Sequence, residues 1–417
     1  MIIKKIISAV LLSLLFSFVV SAQSGSVYTR YGIGDMDYTY SARSLGIGHT
    51  GTAQMNRDYV EILNPASWTA LNFTRIEFSL VLNGVLLKDA NKSTYLTDAD
   101  FKGFTFAFPI SRKYGIGFAS GLIPYSRISY EIIQKNKAVA PVTSDYTTTY
   151  EGSGGLTRLF LGSTFRTSFD WTIGATLEYY FGTLKYDSKV DFDNPKFKST
   201  NYELIYRPTG FGTTVGLISQ DLSGLFNSET ISNLRLGVSV NFISNLTTDT
   251  SLVTDPNTRV DTISSGNTTL KVPVRVSAGL SMVLADEYNI NLDYLYQPWT
   301  DFRIGSKHFN ELRDVHKISA GFEYYPKRSL KSSFLEQIVW RAGLSYELSQ
   351  YNINSTGINQ YSVFGGFSIP LGVGNSFDLG LEYSYRGTTE ANLIRENFFR
   401  INIGISFGEL WFVRIQR

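Results

Sequence analysis

The sequence predicts an all-β fold: a transmembrane antiparallel β-barrel of about fourteen strands, with an amino-terminal hatch or plug in its lumen. Three observations predict it. From about residue 75 onward, apolar residues recur with period two; the stretches between these runs alternate short and long; and no later stretch approaches the roughly 18 apolar residues that a spanning helix requires. Composition agrees, since Tyr 26, Phe 29 and Gly 36 in 417 residues suit pleated surfaces and tight turns better than helices.

The chain opens with Lys4 and Lys5, an apolar run from Ile6 to Val20, and the small-residue site Val20-Ser21-Ala22. This reads as a secretory leader over residues 1–22, removed on export. The sequence contains no cysteine, so disulfide staples, thiolate metal sites and thiol nucleophiles are excluded. Lys+Arg 38 against Asp+Glu 36 gives a net charge of +2, without the basic run that a nucleic-acid partner would call for.

In "WTIGATLEYYFGTL", Trp171, Ile173, Ala175, Leu177, Tyr179 and Phe181 share one face, while Thr172, Gly174, Thr176, Glu178, Tyr180 and Gly182 share the other. The pattern recurs in "VPVRVSAGLSMVL" from Val272 and in "FFRINIGISF" from Phe398. Strands begin near residues 75, 101, 115, 154, 171, 208, 232, 272, 288, 314, 337, 357, 376 and 396. Connections near 110–114, 168–170, 285–287 and 370–375 are short, and those near 86–100, 131–152, 186–207, 245–271 and 299–313 are long. Short turns on one side and long loops on the other are the pattern of bacterial outer-membrane barrels. The expected organisation is a leader at 1–22, a hatch at 23–72, a barrel at 73–408 and a periplasmic tail at 409–417.

In hydrocarbon each unpaired peptide group costs several kcal/mol, so a sheet there must close on itself and turn its apolar face to lipid. The opposite face then lines the lumen. It carries Arg235, Arg275, Glu323, Arg341, Glu347, Glu382, Arg386 and Arg400 interleaved with glycine, a set of mixed sign that reads as a pairing network steadying a plug, since an ion-selective ring would show one dominant sign. A soluble sandwich also alternates and could carry such charges on its outer face, though it would not normally interleave them with glycine, so the pattern tilts toward a barrel.

Fourteen strands enclose more space than wall side chains can fill. The stretch from Gln23 to Ala70 precedes the first strand and has no alternation. Within it lie "SARSLGIGHTGTA" and "NPASWTAL", followed by the strand "RIEFSLVL". Over residues 41 to 80 this resembles the amino-terminal hatch of the long-chain fatty-acid transporter (FadL-type) family of outer-membrane proteins. The resemblance implies that the hatch closes the pore, with Gly46, Gly48 and Gly51 in its small-residue stretch and Asn64, Pro65 and Ala66 at its tip. It also implies a kink in the third strand that lets apolar cargo leave sideways into the membrane. That strand, "GIGFASGLIPYSRISY", carries Gly121 and Pro124, residue types that belong at breaks in a ladder; Pro124 could equally mark the place where the strand frays into loop.

Other motifs carry less. "GIGHTG" from Gly46 to Gly51 matches a dinucleotide fingerprint but lacks the flanking strand and helix. His49, His308 and His316 are scattered, with no metal or catalytic spacing. Asp98/Asp100 and Asp191/Asp193 fall in expected outer loops, where they read as solvated tips more readily than as weak calcium ligands. Lys327, Arg328 and Lys331 fall in an expected periplasmic turn. No enzyme activity, cofactor or metal is expected.

Two functional readings remain. In the first, the barrel passes a hydrophobic small molecule, such as a fatty acid or hydrocarbon, with apolar candidates at Ala138 to Val142 and Leu204-Ile205-Tyr206. In the second it is a non-transporting subunit of a larger envelope complex for surface protein secretion or outer-membrane protein assembly. "VYTRYGIGDMDY" (Val27 to Tyr38) and "ELWFVRIQR" would then offer periplasm-side segments to other envelope proteins. In both readings outer-membrane lipid is a partner and nucleic acid is not.

Overall fold

A computed structural model describes residues 25–138, 144–226, 230–255, 261–327, 333–372 and 374–410. The leader, most of Ala138 to Val142, Arg328, Lys331 and tail residues 411–417 lie outside these. The barrel has fourteen antiparallel strands: β1 (Thr74–Lys88), β2 (Ser93–Ser111), β3 in two pieces (Ile116–Pro124 and Ser126–Asn136), β4 (Tyr146–Arg166), β5 (Thr172–Phe192), β6 (Thr200–Ile218), β7 in two pieces (Ile231–Ile243 and Leu246–Asp255), β8 in two pieces (Asp261–Lys271 and Arg275–Leu284), β9 (Tyr288–Gln297), β10 (Val315–Tyr324), β11 (Val339–Ile353), β12 (Thr356–Gly372), β13 (Asn375–Arg386) and β14 (Arg395–Glu409). The first and last strands pair from Thr74↔Glu409 to Lys88↔Arg395, which closes the ring. None of the described helices is long and apolar enough to cross a membrane.

The period-two faces land as closure requires. On the outside, Leu292, Leu344, Val363 and Leu381 are exposed at 51%, 58%, 55% and 42%, as side chains facing lipid should be. Aromatic rows bound this band. Near the short turns, Tyr288 stacks on Tyr324 at 5.3 Å and Trp340 meets Phe367 at 5.8 Å. Six residues further along β9 and β11, Tyr294 contacts His316 at 6.2 Å and Tyr346 contacts Tyr361 at 4.8 Å. Six residues at about 3.3 Å each span about 20 Å, close to the apolar height of an outer-membrane barrel.

Beyond the outer aromatic row the strands continue. Residues 93–100, 131–136, 186–192, 200–207, 246–255 and 261–271, expected as loops, are paired strand. The reason is physical: outside lipid neither face needs to be uniformly apolar, so the period that marks a spanning strand fades although the ladder persists. Asp98 and Asp100 accordingly lie on β2, where Arg127 pairs with both. Glu409, expected to begin the tail, is the last residue of β14.

Three strands are broken. In β3, Pro124 pairs with Thr157, and Tyr125 then turns inward while its amide donates to Leu156 O at 2.8 Å. On the facing strand, Gly154 and Gly155 take φ of +104° and +150°, values open to glycine but strained for other residues. Gly121 sits inside regular pairing, between Thr105 and Phe160. Pro124 is six residues beyond Phe118, which meets Phe108 at 5.3 Å beside the short turn between β2 and β3, so the break stands at the outer edge of the apolar band. There β2 loses its pairing with β3, which stops at Phe104↔Leu122, and a seam opens in the wall. The two other breaks, at Ser244–Asn245 and Val272–Val274, adjoin each other on β7 and β8.

Replacing Leu344 by Arg puts a charge in the middle of the apolar band, and unfolding titration in lipid vesicles should show a loss of about 2–4 kcal/mol. The same change at Leu371, beside a short turn, should cost about 0–1 kcal/mol.

Candidate functional site: the filled lumen and its two mouths

Residues 25–73 run inside the barrel. Helix α1 (Ala42–Gly46) is capped by Ser41, whose hydroxyl accepts from Ser44 N, and a 3-10 turn (Pro65–Ala70) is capped by Asn64, whose side chain accepts from Ala66 N. Both caps satisfy backbone donors that would otherwise be left unpaired in a buried place. The segment lies close against the wall because the wall offers glycine where the two backbones meet. Gly174 faces Pro65, Gly216 faces Asn64, Gly237 faces Thr52, Gly343 faces Gly48 and Gly380 faces Ala42. A Cβ on Gly343 would come within 2.5 Å of Gly48 N, and one on Gly216 would overlap the side-chain oxygen of Asn64. Several of these glycines are direct register partners, as in Gly174↔Gly216, Gly237↔Gly279 and Gly321↔Gly343, so they form a belt around the inner wall.

Asn64 joins this belt to the segment. Its amide nitrogen lies 2.7 Å from Thr52 O, 3.2 Å from Leu217 O and 3.3 Å from Val238 O. Asp293 on β9 accepts from Gly51 N at 2.8 Å and from Thr52 N and Oγ1 at 2.9 and 2.8 Å.

Buried charge is met by buried charge. Glu323 receives Arg43 at 2.9 Å and Arg341 at 2.7 Å, all three almost fully buried. Arg341 continues to Asp378 at 3.3 Å, where Tyr59 of the segment also donates at 2.8 Å. Arg386 bonds Asp35 of the segment at 2.9 Å and Glu396 at 2.7 Å. Glu382 takes Arg400 at 3.0 Å, and Glu347 takes Lys317 at 3.5 Å and Tyr38 at 3.0 Å. A cluster that lies within the wall gathers Arg158, Thr176, Thr214 and Asn241 on Glu178.

The eight inward-facing charges therefore divide. Glu323, Arg341, Glu347, Glu382, Arg386 and Arg400 meet partners in the lumen. Arg275 lies over the Tyr125 ring at 5.4 Å, its Nη1 without a hydrogen-bond partner. Arg235 stands apart at the short-turn mouth and donates to Ser219 O at 2.8 Å. Arg43 escapes a reading of alternation because it lies in a segment without periodicity; alternation places Glu178 on the inward face but shows none of the partners that it and Asp293 meet.

The outer half of the lumen is apolar. Tyr28, Ile33, Tyr125, Leu184, Trp299 and Phe302 belong to one buried cluster, supplied partly by the connection after β9. Val27 to Tyr38, expected on the periplasmic side, lies here: its 3-10 turn (Val27–Arg30) packs on the outer piece of β3, and Asp35–Met36 pairs with Arg127 and Ser126. The apolar Tyr28, Ile33 and Tyr38 account for that placement. Across the seam, Lys102 pairs with Asp37.

Two large cavities flank this filling. Above it, an aromatic cup of about 680 Å³ is lined by Tyr130, Tyr150, Tyr186, Tyr202, Tyr206 and Phe309, with Leu204, Leu252 and Ile304. Below it, a polar vestibule of about 710 Å³ opens at the short-turn end. Between them lie smaller cavities, among them one of about 60 Å³ beside Asp35 and Glu347, one of about 70 Å³ beside Asp37 and Arg127, and one of about 10 Å³ beside Asp293. Among the described residues, no group of three or more His, Asp or Glu is placed to hold a metal.

The family model described as BamG matches residues 1–416. The chain belongs to the BamG family. No curated protein matches the sequence. In fold, this BamG-family barrel is similar to the toluene transporter TbuX of Ralstonia pickettii, with TM-score 0.58 and 13% identity over 89% of this chain and 99% of that one. The toluene transporter TodX of Pseudomonas putida gives 0.58 and 14% over 90% and 99%, and a Pseudomonas aeruginosa FadL homologue gives 0.59 and 8% over 90% and 99%. Its architecture is thus that of a FadL-type outer-membrane β-barrel.

Glu323→Gln leaves Arg43 and Arg341 sharing a neutral partner, and chemical unfolding should report a loss of about 3–5 kcal/mol. Gly216→Leu should push Asn64 off the wall. Trypsin should then cleave after Arg43 or Arg57 in a barrel that still migrates as folded when unheated, whereas the wild type resists.

Proposed function

We propose that this barrel binds hydrophobic small molecules at the cell surface and passes them toward the membrane, with the aromatic cup as the capture site. The observation that carries this is the cup itself, a concave, mostly apolar cavity at the long-loop end, of a size ordinary for small-molecule sites. Solved barrels of the same fold are described as toluene transporters and hydrocarbon channels, which supports the reading by analogy. Residues 23–72 then act as the plug, with Asn64, Pro65 and Ala66 at its tip, and the seam beside Pro124 acts as the side exit. Opening it requires Asp35–Met36 to leave the β3 edge and Lys102 to release Asp37.

A second reading is favoured by what lines that exit. Cargo moving from cup to seam would pass Lys102 with Asp37, and Arg127 with Asp98 and Asp100, groups that apolar matter would desolvate at a cost of several kcal/mol per ion. A wall held shut by charge suits a non-transporting subunit of an envelope complex for surface protein secretion or outer-membrane protein assembly.

Purification from native membranes in mild detergent, followed by mass analysis, separates the two. A lone barrel carrying fatty acid or aromatic hydrocarbon, with binding weakened about tenfold (about 1.4 kcal/mol) by Tyr150→Ala/Tyr206→Ala, supports transport. Stoichiometric protein partners with an empty cup overturn it.

A further inference from the structure

We propose that the vestibule at the short-turn end is a docking site for an acidic peptide segment of a periplasmic partner protein. Four arginines line it: Arg57 and Arg112 are exposed, and Arg166 and Arg235 are half-buried. None of them forms an ion pair among the described residues, although Asp221 and Asp170 act on Arg235 through space. Arg112 donates to Asn72 O at 2.6 Å and Arg235 to Ser219 O at 2.8 Å, both neutral acceptors, and the Nε of Arg235 is buried with no partner. The carboxylates in the same lining are largely committed. Asp58 is held by Arg75 and Glu287 lies 4.0 Å from Lys327, which leaves Asp286 with a Ser232 hydroxyl at 3.4 Å.

The contrast with the lumen is what makes this set informative. Arg43, Arg158, Arg341, Arg386 and Arg400 each meet a carboxylate at ion-pair distance, whereas the four guanidiniums at this mouth gather around one concavity without such a pair. The lining also holds Asp58, Asp286 and Glu287, but two of these are paired with Arg75 and Lys327, so positive charge is in excess here. Such a cleft attracts ligands of the opposite sign, and the guanidinium fork takes carboxylates through two parallel hydrogen bonds. The four arginines come from the lumenal segment (Arg57), the turn after β2 (Arg112), the end of β4 (Arg166) and β7 (Arg235), spread around a cavity far larger than one small anion. An extended acidic peptide, at about 3.3–3.6 Å per residue, can offer carboxylates to several of them in turn, and the amides of Asn72 and Asn289 in the same lining can bond its backbone. The lumenal segment forms part of the lining through Gln54 to Asp58 and Thr69 to Asn72, so a docked partner would rest on it. This site uses neither the cup nor the seam, and it stands whether or not the barrel passes cargo.

The test uses the full chain in detergent and measures the anisotropy of fluorescein-labelled hexaglutamate, with hexalysine and inorganic phosphate as comparisons. Hexaglutamate should bind, weaken as salt rises, and lose at least tenfold in affinity in the quadruple variant Arg57→Gln/Arg112→Gln/Arg166→Gln/Arg235→Gln. The double variant Arg57→Gln/Arg112→Gln alters only exposed side chains, leaves the fold intact, and should lose about threefold. Equal binding of hexalysine, displacement by phosphate as effective as by unlabelled hexaglutamate, or affinities unchanged in both variants would overturn the proposal.

Discussion

In hydrocarbon an unpaired peptide group costs several kcal/mol, so the pairing of β1 with β14 is the contact on which the rest of this molecule depends. Once that ladder closes, it encloses a lumen too wide for the wall's own side chains to fill. Residues 25–73 and the connection after β9 occupy it. Everything they bring inside must then be matched, because a buried polar group without a partner is expensive. Asn64 on the carbonyls of Thr52, Leu217 and Val238, and Asp293 on the amides of Gly51 and Thr52, are that matching at single-residue scale.

The filling is layered. In the half nearer the short turns, ion pairs dominate and the glycine belt lets backbone approach backbone. In the outer half, Trp299, Phe302 and Tyr125 pack as the core of a soluble domain would. The two layers meet near Asp35, Lys317 and Glu347, beside a cavity of only about 60 Å³. A charge pair such as Arg43 with Glu323 contributes little net stability compared with an apolar substitute, but its disruption is costly. Such pairs therefore hold one arrangement of the segment against alternatives more than they add to the total.

Much of this was legible in sequence, and the reasons for the rest are specific. Fourteen strands could be counted because lipid on one side and polar filling on the other impose period two wherever the wall crosses the membrane. The outer halves of β5, β6 and β7 were hidden because water outside the membrane removes that constraint. Glu323 and Arg341 announced themselves as inward by alternating with apolar residues, but Arg43 did not, since it sits in a segment without periodicity. Arg235 shared the inward phase of its strand yet lies at the mouth, because phase says which way a side chain points and not how deep it is. Pro124 was visible as a residue unsuited to a ladder. Pro273 carried the same signal on β8, where it was absorbed into the start of a strand.

The claim that the lumen is filled by a fixed part of the chain is tested most directly by electrical recording of the purified full-length protein in planar lipid bilayers. If residues 25–73 close the lumen as proposed, the membrane should stay electrically silent under moderate applied voltage. Stable conductance steps of the size given by an open porin would contradict it.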